Sequence, residues 1–358
     1  YTPPTGFAAL NTDNLSDPAI ALPTDHFSAT IWSGNDAASR AITTGVDADF
    51  VWYKDRTGTE SNSLYDSVRG AQKRLISNST DYERTRTTGL LSFDSTGFTV
   101  GADTECNGSG KNYVAWNWKA GGTASTIAAG SIDGTNPTIA SSVSANPTAG
   151  FSIVSYAGSG TTATVGHGLG VAPELIIIKN RTSTAEWPIY EESIGNAKRL
   201  ELNSTAAEQA TNNWDSTSTT ASVFTVYGGE TRVNISSNDY IAYCFHSVEG
   251  YSKIGVYEGN ANADGPFVYT GFQPAFVIIK GVDQAGSSWF LMDNKRDEYN
   301  VVDKELFADS NSAEGSGSRF VDFNSNGFKL RANDALNYAS TMLYYAVSES
   351  PFKTSNAR

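Results

Sequence analysis

Short apolar runs that end in a lysine recur three times along the chain. They read FVWYK at 50–54, LIIIK at 175–179 and FVIIK at 276–280. Runs of this length without polar alternation predict strands that are covered on both faces or that face a sandwich core. Their β-branched and aromatic residues favour strand over helix. The pattern therefore predicts three equivalent buried strands.

Two glycine markers precede each of these strands in the same order. The first marker is a glycine nine residues before the lysine, found at Gly45, Gly170 and Gly271. Further upstream lies an aromatic residue two positions before a glycine: Trp32 with Gly34, Tyr156 with Gly158, and Tyr257 with Gly259. Such ordered recurrence indicates that one unit has been duplicated.

The first two copies also match without a gap at an offset of 125 residues, which carries Lys54 onto Lys179. Later runs recur as FTV at 98–100 and 224–226, and more loosely as FKL at 328–330. Each copy spans about 100 residues, separated into short segments by Gly, Asn, Asp and Ser. That length is too great for a solenoid repeat and fits a whole β-sandwich.

We therefore predict an all-β fold of three tandem β-sandwich domains of the jelly-roll, concanavalin A-like type. The predicted divisions are an N-terminal connector from an upstream domain at 1–22, sandwiches at 23–119, 150–250 and 251–358, and a Gly/Ser/Thr-rich linker at 120–149 with a possible first strand at 138–143. Because only the first two copies are separated by a long linker, we expect copies two and three to pack rigidly together and the first to be placed more independently.

The negative charge of the chain disfavours binding to two classes of partner. A net charge of −13 and a pI near 4.7 disfavour nucleic acid, whose binding requires basic side chains. They also disfavour anionic membrane surfaces, and no apolar run is long enough for membrane insertion. The acidity itself is explained by solubility.

The cysteines and histidines predict no catalytic or metal centre. Cys106 and Cys244 are expected to be unpaired thiols, and three histidines are too few for a Cys/His zinc cluster. His167 lies in GHGLG at 166–170, where a structural or solvent-facing role is expected. No histidine follows a nucleophile motif, so we assign no catalytic residue and expect a protein that is not an enzyme.

Three carboxylates occupy corresponding positions after the lysine-ended strands: Asp66, Glu191 and Asp293. Glycosidases require only two carboxylates, so polysaccharide cleavage is an alternative. Recurrence in every copy is better explained by structure, in which the acid pairs with the repeat lysine or with Arg69, or caps a turn.

Calcium remains a second open alternative. Asp47 with Asp49, and Asp293 with Asp297, supply carboxylate oxygens, but neither pair has the spacing of an EF-hand loop. We therefore expect no cofactor and assign no metal ligand.

One tryptophan is a candidate ligand-binding residue. Trp214 lies in TNNWD at 211–215 and has no counterpart in the other copies. An exposed ring among Asn and Asp would form a platform for a sugar, whereas a buried ring would anchor its own loop; the second alternative is favoured. Trp187 and Trp289 are expected to begin equivalent strands in copies two and three.

Several longer segments resemble a family of virion proteins from marine tailed phages, including cyanophage-like viruses. The segments are 64–70 (LYDSVRG), 107–121 (NGSGKNYVAWNWKAG), 265–272 (GPFVYTGF) and 351–358 (PFKTSNAR). Residues 1–15 resemble the end of a SPRY-like domain that precedes this region in such proteins. The resemblance covers nearly the whole chain and carries over no catalytic residue.

The resemblance implies an extracellular tail fibre or other surface appendage of a virion. It would act as a structural protein that binds a host glycan or protein receptor, in contact with other virion proteins and as a homotrimer. A capsid-decorating or purely architectural virion protein is the main alternative, and a polysaccharide depolymerase is another.

Overall fold

The structure, a computed structural model, describes residues 4–5 and 17–350. Most of the predicted connector at 1–22, including the segment that resembles a SPRY-like domain, lies outside the described residues, as does 351–358. The described residues form antiparallel β-sheets and one 3₁₀ turn at Pro23–Asp25, so the predicted all-β class is confirmed. No helix in the described ranges is long and apolar enough to cross a membrane.

Three groups of strands correspond to the three predicted copies. Copy 1 has β1 (Phe27–Ser33), β2 (Arg40–Thr43), β3 (Phe50–Asp55), β4 (Ser63–Asp66), β5 (Lys73–Ile76), β6 (Arg84–Thr85), β7 (Leu90–Asp94), β8 (Gly97–Val100) and β9 (Asn112–Trp118). Copy 2 has β10 (Ser125–Ile127), β11 (Ser141–Asn146), β12 (Phe151–Ala157), β13 (Ala163–Gly166), β14 (Leu175–Asn180), β15 (Pro188–Glu191), β16 (Lys198–Glu201), β17 (Gln209–Ala210), β18 (Val223–Val226) and β19 (Asp239–Phe245). Copy 3 has β20 (Ser252–Glu258), β21 (Phe267–Tyr269), β22 (Pro274–Gly281), β23 (Phe290–Asp293), β24 (Leu306–Phe307), β25 (Val321–Asn324), β26 (Gly327–Leu330) and β27 (Thr341–Ser348).

Each copy contains one large sheet and one small sheet. The large sheets have the orders β1-β9-β3-β4-β5-β6, β10-β11-β12-β19-β14-β15-β16-β17 and β20-β27-β22-β23-β24. In all three, the lysine-ended strand lies between the last strand of its copy and the strand that follows it in the chain. The small sheets are β2-β8-β7, β13-β18 and β21-β26-β25. The duplication seen in the sequence is thus also a duplication of strand order.

The lysine-ended strands β3, β14 and β22 are buried along their whole lengths, as predicted. Alternate residues of a strand point to opposite faces. Val51 and Tyr53 of β3 pack in a core that belongs to copy 1 alone, together with Phe98. Phe50 and Trp52, on the other face, pack in a core that residues of all three copies share. Both faces of the strand are therefore covered by apolar side chains.

The shared core contradicts the expectation that copy 1 is placed more independently. The ring of Phe50 lies 4.4 Å from that of Tyr243 in copy 2, between ring centroids. The ring of Phe27 lies 5.6 Å from that of Phe276 in copy 3. A separate copy 1 would expose this apolar face to water, at a cost of about 25 cal/mol for each Å². The apolar surface, and not the linker length, decides the arrangement.

The connector between copies 1 and 2 is also part of a sheet. The strand proposed for 138–143 is found slightly later, as β11 (Ser141–Asn146), and β10 (Ser125–Ile127) precedes it. β11 pairs with β12, so the connector extends the large sheet of copy 2 beyond its edge. The strand boundaries could not be located from the Ser-rich sequence, because it has too few apolar residues to show an alternation of apolar and polar positions.

Candidate functional site

The first repeated carboxylate, Asp66, lies at the contact between copies 1 and 2. Its Oδ2 accepts hydrogen bonds from Arg69 Nε at 2.5 Å and from the hydroxyl of Tyr243 in copy 2 at 2.8 Å. The side chains of Asp66 and Arg69 are fully buried. Of the three predicted roles for this acid, the ion pair with Arg69 is found, and the hydrogen bond from Tyr243 joins copy 2 to copy 1.

Asp293 has the same role at the contact between copies 3 and 1. Its Oδ2 accepts hydrogen bonds from Arg296 Nε at 2.6 Å and from the indole of Trp116 in copy 1 at 3.0 Å. Burial alone would raise the pKa of Asp293, but the Arg296 guanidinium outweighs that effect and the pKa lies below its usual value.

Glu191, the third repeated carboxylate, has no arginine beside it. Ile194 stands where copies 1 and 3 have Arg69 and Arg296. The Glu191 carboxylate instead accepts hydrogen bonds from the backbone N–H groups of Ser193 and Ile194, at 3.1 and 3.2 Å, and so caps a turn. Burial raises the pKa of Glu191. All three acids are buried, so none is accessible to a polysaccharide.

The three repeat lysines are buried and bind backbone carbonyls. Lys54 Nζ donates to Gly58 O at 3.1 Å, Lys179 Nζ to Thr80 O of copy 1 at 2.9 Å, and Lys280 Nζ to Ser287 O. Burial lowers the pKa of each amine, to about 8 for Lys54 and Lys280 and to about 7 for Lys179. The amines thus bind backbone carbonyls and not the repeated carboxylates, and Thr80 O also accepts a hydrogen bond from the backbone N–H of Ala185 at 3.0 Å.

His167 has a structural position. It is fully buried, its Nε2 lies 3.0 Å from Thr220 O, and its Nδ1 accepts a hydrogen bond from Leu169 N at 3.2 Å. Burial lowers the pKa of His167 to about 4. Of the two expected positions, buried or solvent-facing, the buried one is found.

The low pKa of His167 predicts an acid-sensitive contribution to stability. The folded-state pKa of about 4 lies below the reference value of 6.5, so the unfolded chain binds a proton first as the pH falls. The free energy of unfolding should therefore decrease between these values, by at most about 1.4 kcal/mol for each pH unit. His167→Gln should show a shallower decrease between pH 7 and pH 4.5 in urea unfolding. Equal pH dependence of the two proteins would contradict the assignment.

Of the two alternatives for Trp214, the favoured one is found, a buried ring that anchors its loop, and not the exposed sugar platform. The side chain is 2% exposed and packs in the core of copy 2 against Tyr190, with ring centroids 5.6 Å apart. Its indole N–H donates to Lys198 O at 3.0 Å. The small sheet of copy 2 has two strands where the other copies have three, and Trp214 lies in the loop that replaces the third. The ring fills the core and anchors its loop.

The thiols and the candidate calcium ligands are also accounted for by the fold. Cys106 and Cys244 are free, as predicted, and both are buried; burial raises the pKa of Cys106 to about 12. Asp49 accepts hydrogen bonds from the backbone N–H of Ala120 at 2.9 Å, and Asp297 forms an ion pair with Lys304. Within residues 4–5 and 17–350, no group of three or more His, Cys, Asp or Glu is arranged to hold a metal ion.

Copy 3 carries an open cavity that is lined by several polar side chains. Its volume is about 220 Å³, and its lining includes Gln273, Asn294, Glu298 and Tyr299. Tyr299 is 77% exposed. Sequence reasoning missed this site, although the signal was present as extra residues after Asp293 that the other two copies lack.

The fold and these positions define an all-β protein of three equivalent sheet pairs, in which the repeated charged residues are structural. The chain belongs to the family described as a domain of unknown function, DUF7483, whose model matches residues 22–351. No curated protein and no solved structure matches the chain.

Proposed function

We propose that the chain is a surface or tail-fibre protein of a tailed-phage virion, with a structural role and with adhesion to a host glycan or protein receptor. Its three copies are proposed to be tandem jelly-roll sandwiches of the concanavalin A-like type. The single observation that carries the structural role is a closed ring of equivalent hydrogen bonds that joins the three copies into one block.

The ring is formed by one side chain from each copy, which donates to a backbone carbonyl of another copy. The three bonds run from Trp187 Nε1 to Ile76 O at 3.0 Å, from Trp289 Nε1 to Glu201 O at 2.9 Å and from Asn62 Nδ2 to Phe307 O at 2.9 Å. They connect copy 2 to copy 1, copy 3 to copy 2 and copy 1 to copy 3. Contacts of this head-to-tail kind close in the same way in cyclic trimers.

A second ring uses backbone groups alone. The amides of Glu83, Glu208 and Glu314 donate to the carbonyls of Arg181, Val282 and Arg56, at 3.0, 2.6 and 2.9 Å. Together with the shared core, the two rings leave no hinge between the copies within residues 27–348. A rigid block of this kind is suited to an appendage that transmits force without changing shape.

The sequence resemblance supplies the virion assignment, and the family comparison adds no activity. The net charge of −13 is consistent with an exposed role, and the three repeated acids are buried inside the fold. Other virion proteins and a host receptor are the proposed partners. A homotrimer is proposed as the assembled state, although one chain already closes a threefold arrangement within itself.

Labelling and adhesion test this function together. Antibodies raised against the full chain should label the tail or surface of phage particles in electron micrographs. The purified chain should adhere to susceptible bacteria and compete with infection. Labelling of the capsid without adhesion would favour the decorating or architectural alternative. Absence of the chain from the particle would refute the proposal.

A further inference from the structure

We propose that the cavity beside Tyr299 binds one neutral sugar residue of a glycan. This inference rests on the proposed adhesive function and names the ligand class of a particular site. Four features support it: an insertion confined to one copy, a pre-ordered loop, free side-chain groups, and the charge and size of the cavity.

The cavity is formed where copy 3 departs from the repeat. Thirteen positions separate Asp293 from Leu306, whereas nine separate Asp66 from Leu75 and Glu191 from Leu200. The extra residues are not needed for the shared core or for the rings of hydrogen bonds, because copies 1 and 2 contribute to both without them. The insertion therefore adds the wall of the cavity to a framework that is complete without it.

The inserted loop is held in place by its own polar groups. Asp297 Oδ2 accepts hydrogen bonds from the backbone N–H groups of Asp303 and Lys304, at 2.9 and 2.7 Å. Asn300 donates to Phe323 O at 2.9 Å and accepts from Phe323 N at 2.8 Å, as a backbone group in a sheet would. Ordering of the loop before binding reduces the entropic cost of capturing a ligand.

The remaining polar groups of the cavity are available to a ligand. The side chains of Gln273, Glu298 and Tyr299 make no hydrogen bond with any other described residue. Gln273 can both donate and accept, and the Tyr299 hydroxyl can do the same. An exposed aromatic face packs against the C–H face of a pyranose, and planar amide and carboxylate groups bind its hydroxyls. The set thus combines an apolar surface with a few orienting polar groups, as binding sites commonly do.

The charge and the size of the cavity restrict the class of ligand that it can bind. The nine described residues that line it include Asp297 and Glu298 but no lysine or arginine, so an anionic ligand would meet like charge. Its volume of about 220 Å³ lies below the roughly 300 Å³ at which sites for drug-sized ligands begin. One uncharged sugar residue, within a longer glycan that extends into solvent, fits both restrictions.

The test uses the full chain and a panel of methyl glycosides of glucose, galactose, mannose and N-acetylglucosamine. Saturation-transfer NMR titrations should give saturable binding of at least one of them, and Tyr299→Ala should weaken that binding about tenfold or more. Tyr269→Ala is the matched control, because Tyr269 is a second exposed tyrosine of copy 3, 58% exposed and outside the cavity. It should bind the sugar as the unmodified chain does.

Three results would overturn the inference: no binding of any methyl glycoside, equal effects of the two tyrosine variants, or preferential binding of N-acetylneuraminic acid, which is anionic. The cell-adhesion assay reports separately on the proposed function. If the unmodified chain fails to adhere to cells but binds a methyl glycoside through Tyr299, the adhesive function fails and the sugar site stands. If it adheres but binds no glycoside, the sugar site fails and the function stands.

Discussion

Replacement of Arg69 with methionine is expected to lower the free energy of unfolding by about 3–5 kcal/mol, the usual cost of breaking a buried ion pair. The side chains of Arg69 and Asp66 are both fully buried. The substitution leaves the Asp66 carboxylate with the Tyr243 hydroxyl and local backbone donors but without its cationic partner. Urea unfolding of the full chain, followed by circular dichroism, measures the loss.

Two further variants test whether the buried charge is the cause. The double variant Asp66→Asn with Arg69→Met should recover part of the loss, because no isolated carboxylate remains. Arg331→Met should cost about 1 kcal/mol or less, since Arg331 is 51% exposed in its pair with Asp322. A cost for Arg69→Met that equals the cost for Arg331→Met would show that the buried pair does not hold copies 1 and 2 together.

Truncation of Trp289 to alanine is expected to lower the free energy of unfolding by about 3–5 kcal/mol, as is usual for a buried tryptophan. Trp289 is 3% exposed, lies in the shared core and donates from its indole to Glu201 O of copy 2. Because the three copies share that core, the destabilised chain should still unfold in one transition. Calorimetry and circular dichroism of the full chain check both expectations.

Trp289→Phe is the matched control for this experiment. Phenylalanine keeps an aromatic side chain in the core but lacks the indole N–H that donates to Glu201 O of copy 2. The variant should therefore lower the free energy of unfolding much less than the alanine variant does. A first transition confined to copy 3, with copies 1 and 2 still folded, would contradict the role of the shared core.

Local sequence patterns predicted the strand class and the repeat. The apolar runs before Lys54, Lys179 and Lys280 indicate buried strands directly. The presence or absence of polar alternation is a property of neighbouring residues, so it can be read from the sequence alone. They left open whether both faces would be covered or one face would pack in a sandwich core. They did not reveal what covers the second face, because an apolar residue such as Phe50 fits equally a separate sandwich or a core that is shared with other copies.

The candidate site was less accessible to sequence reasoning. Recurrence correctly indicated structural roles for Asp66 and Asp293, because the same contact is made more than once. Two alternatives stayed open for Trp214, because its polar neighbours satisfy the loop backbone and say nothing about the direction of the ring. The Tyr299 cavity depends on side chains far apart in the sequence, Gln273 among them, so only the fold brings them together.

The equivalent carboxylates Glu191 and Asp293 respond in opposite directions to acid, because Glu191 has Ile194 where Asp293 has Arg296. Asp293 has a lowered pKa, so protonation at low pH removes stability from the seam between copies 3 and 1. Glu191 has a raised pKa, so the same protons relieve an uncompensated charge within copy 2. Acidification therefore weakens the contact between copies 3 and 1 while it relieves a buried charge within copy 2. Divergence at the position of Ile194 thus gives two equivalent carboxylates opposite responses to acid.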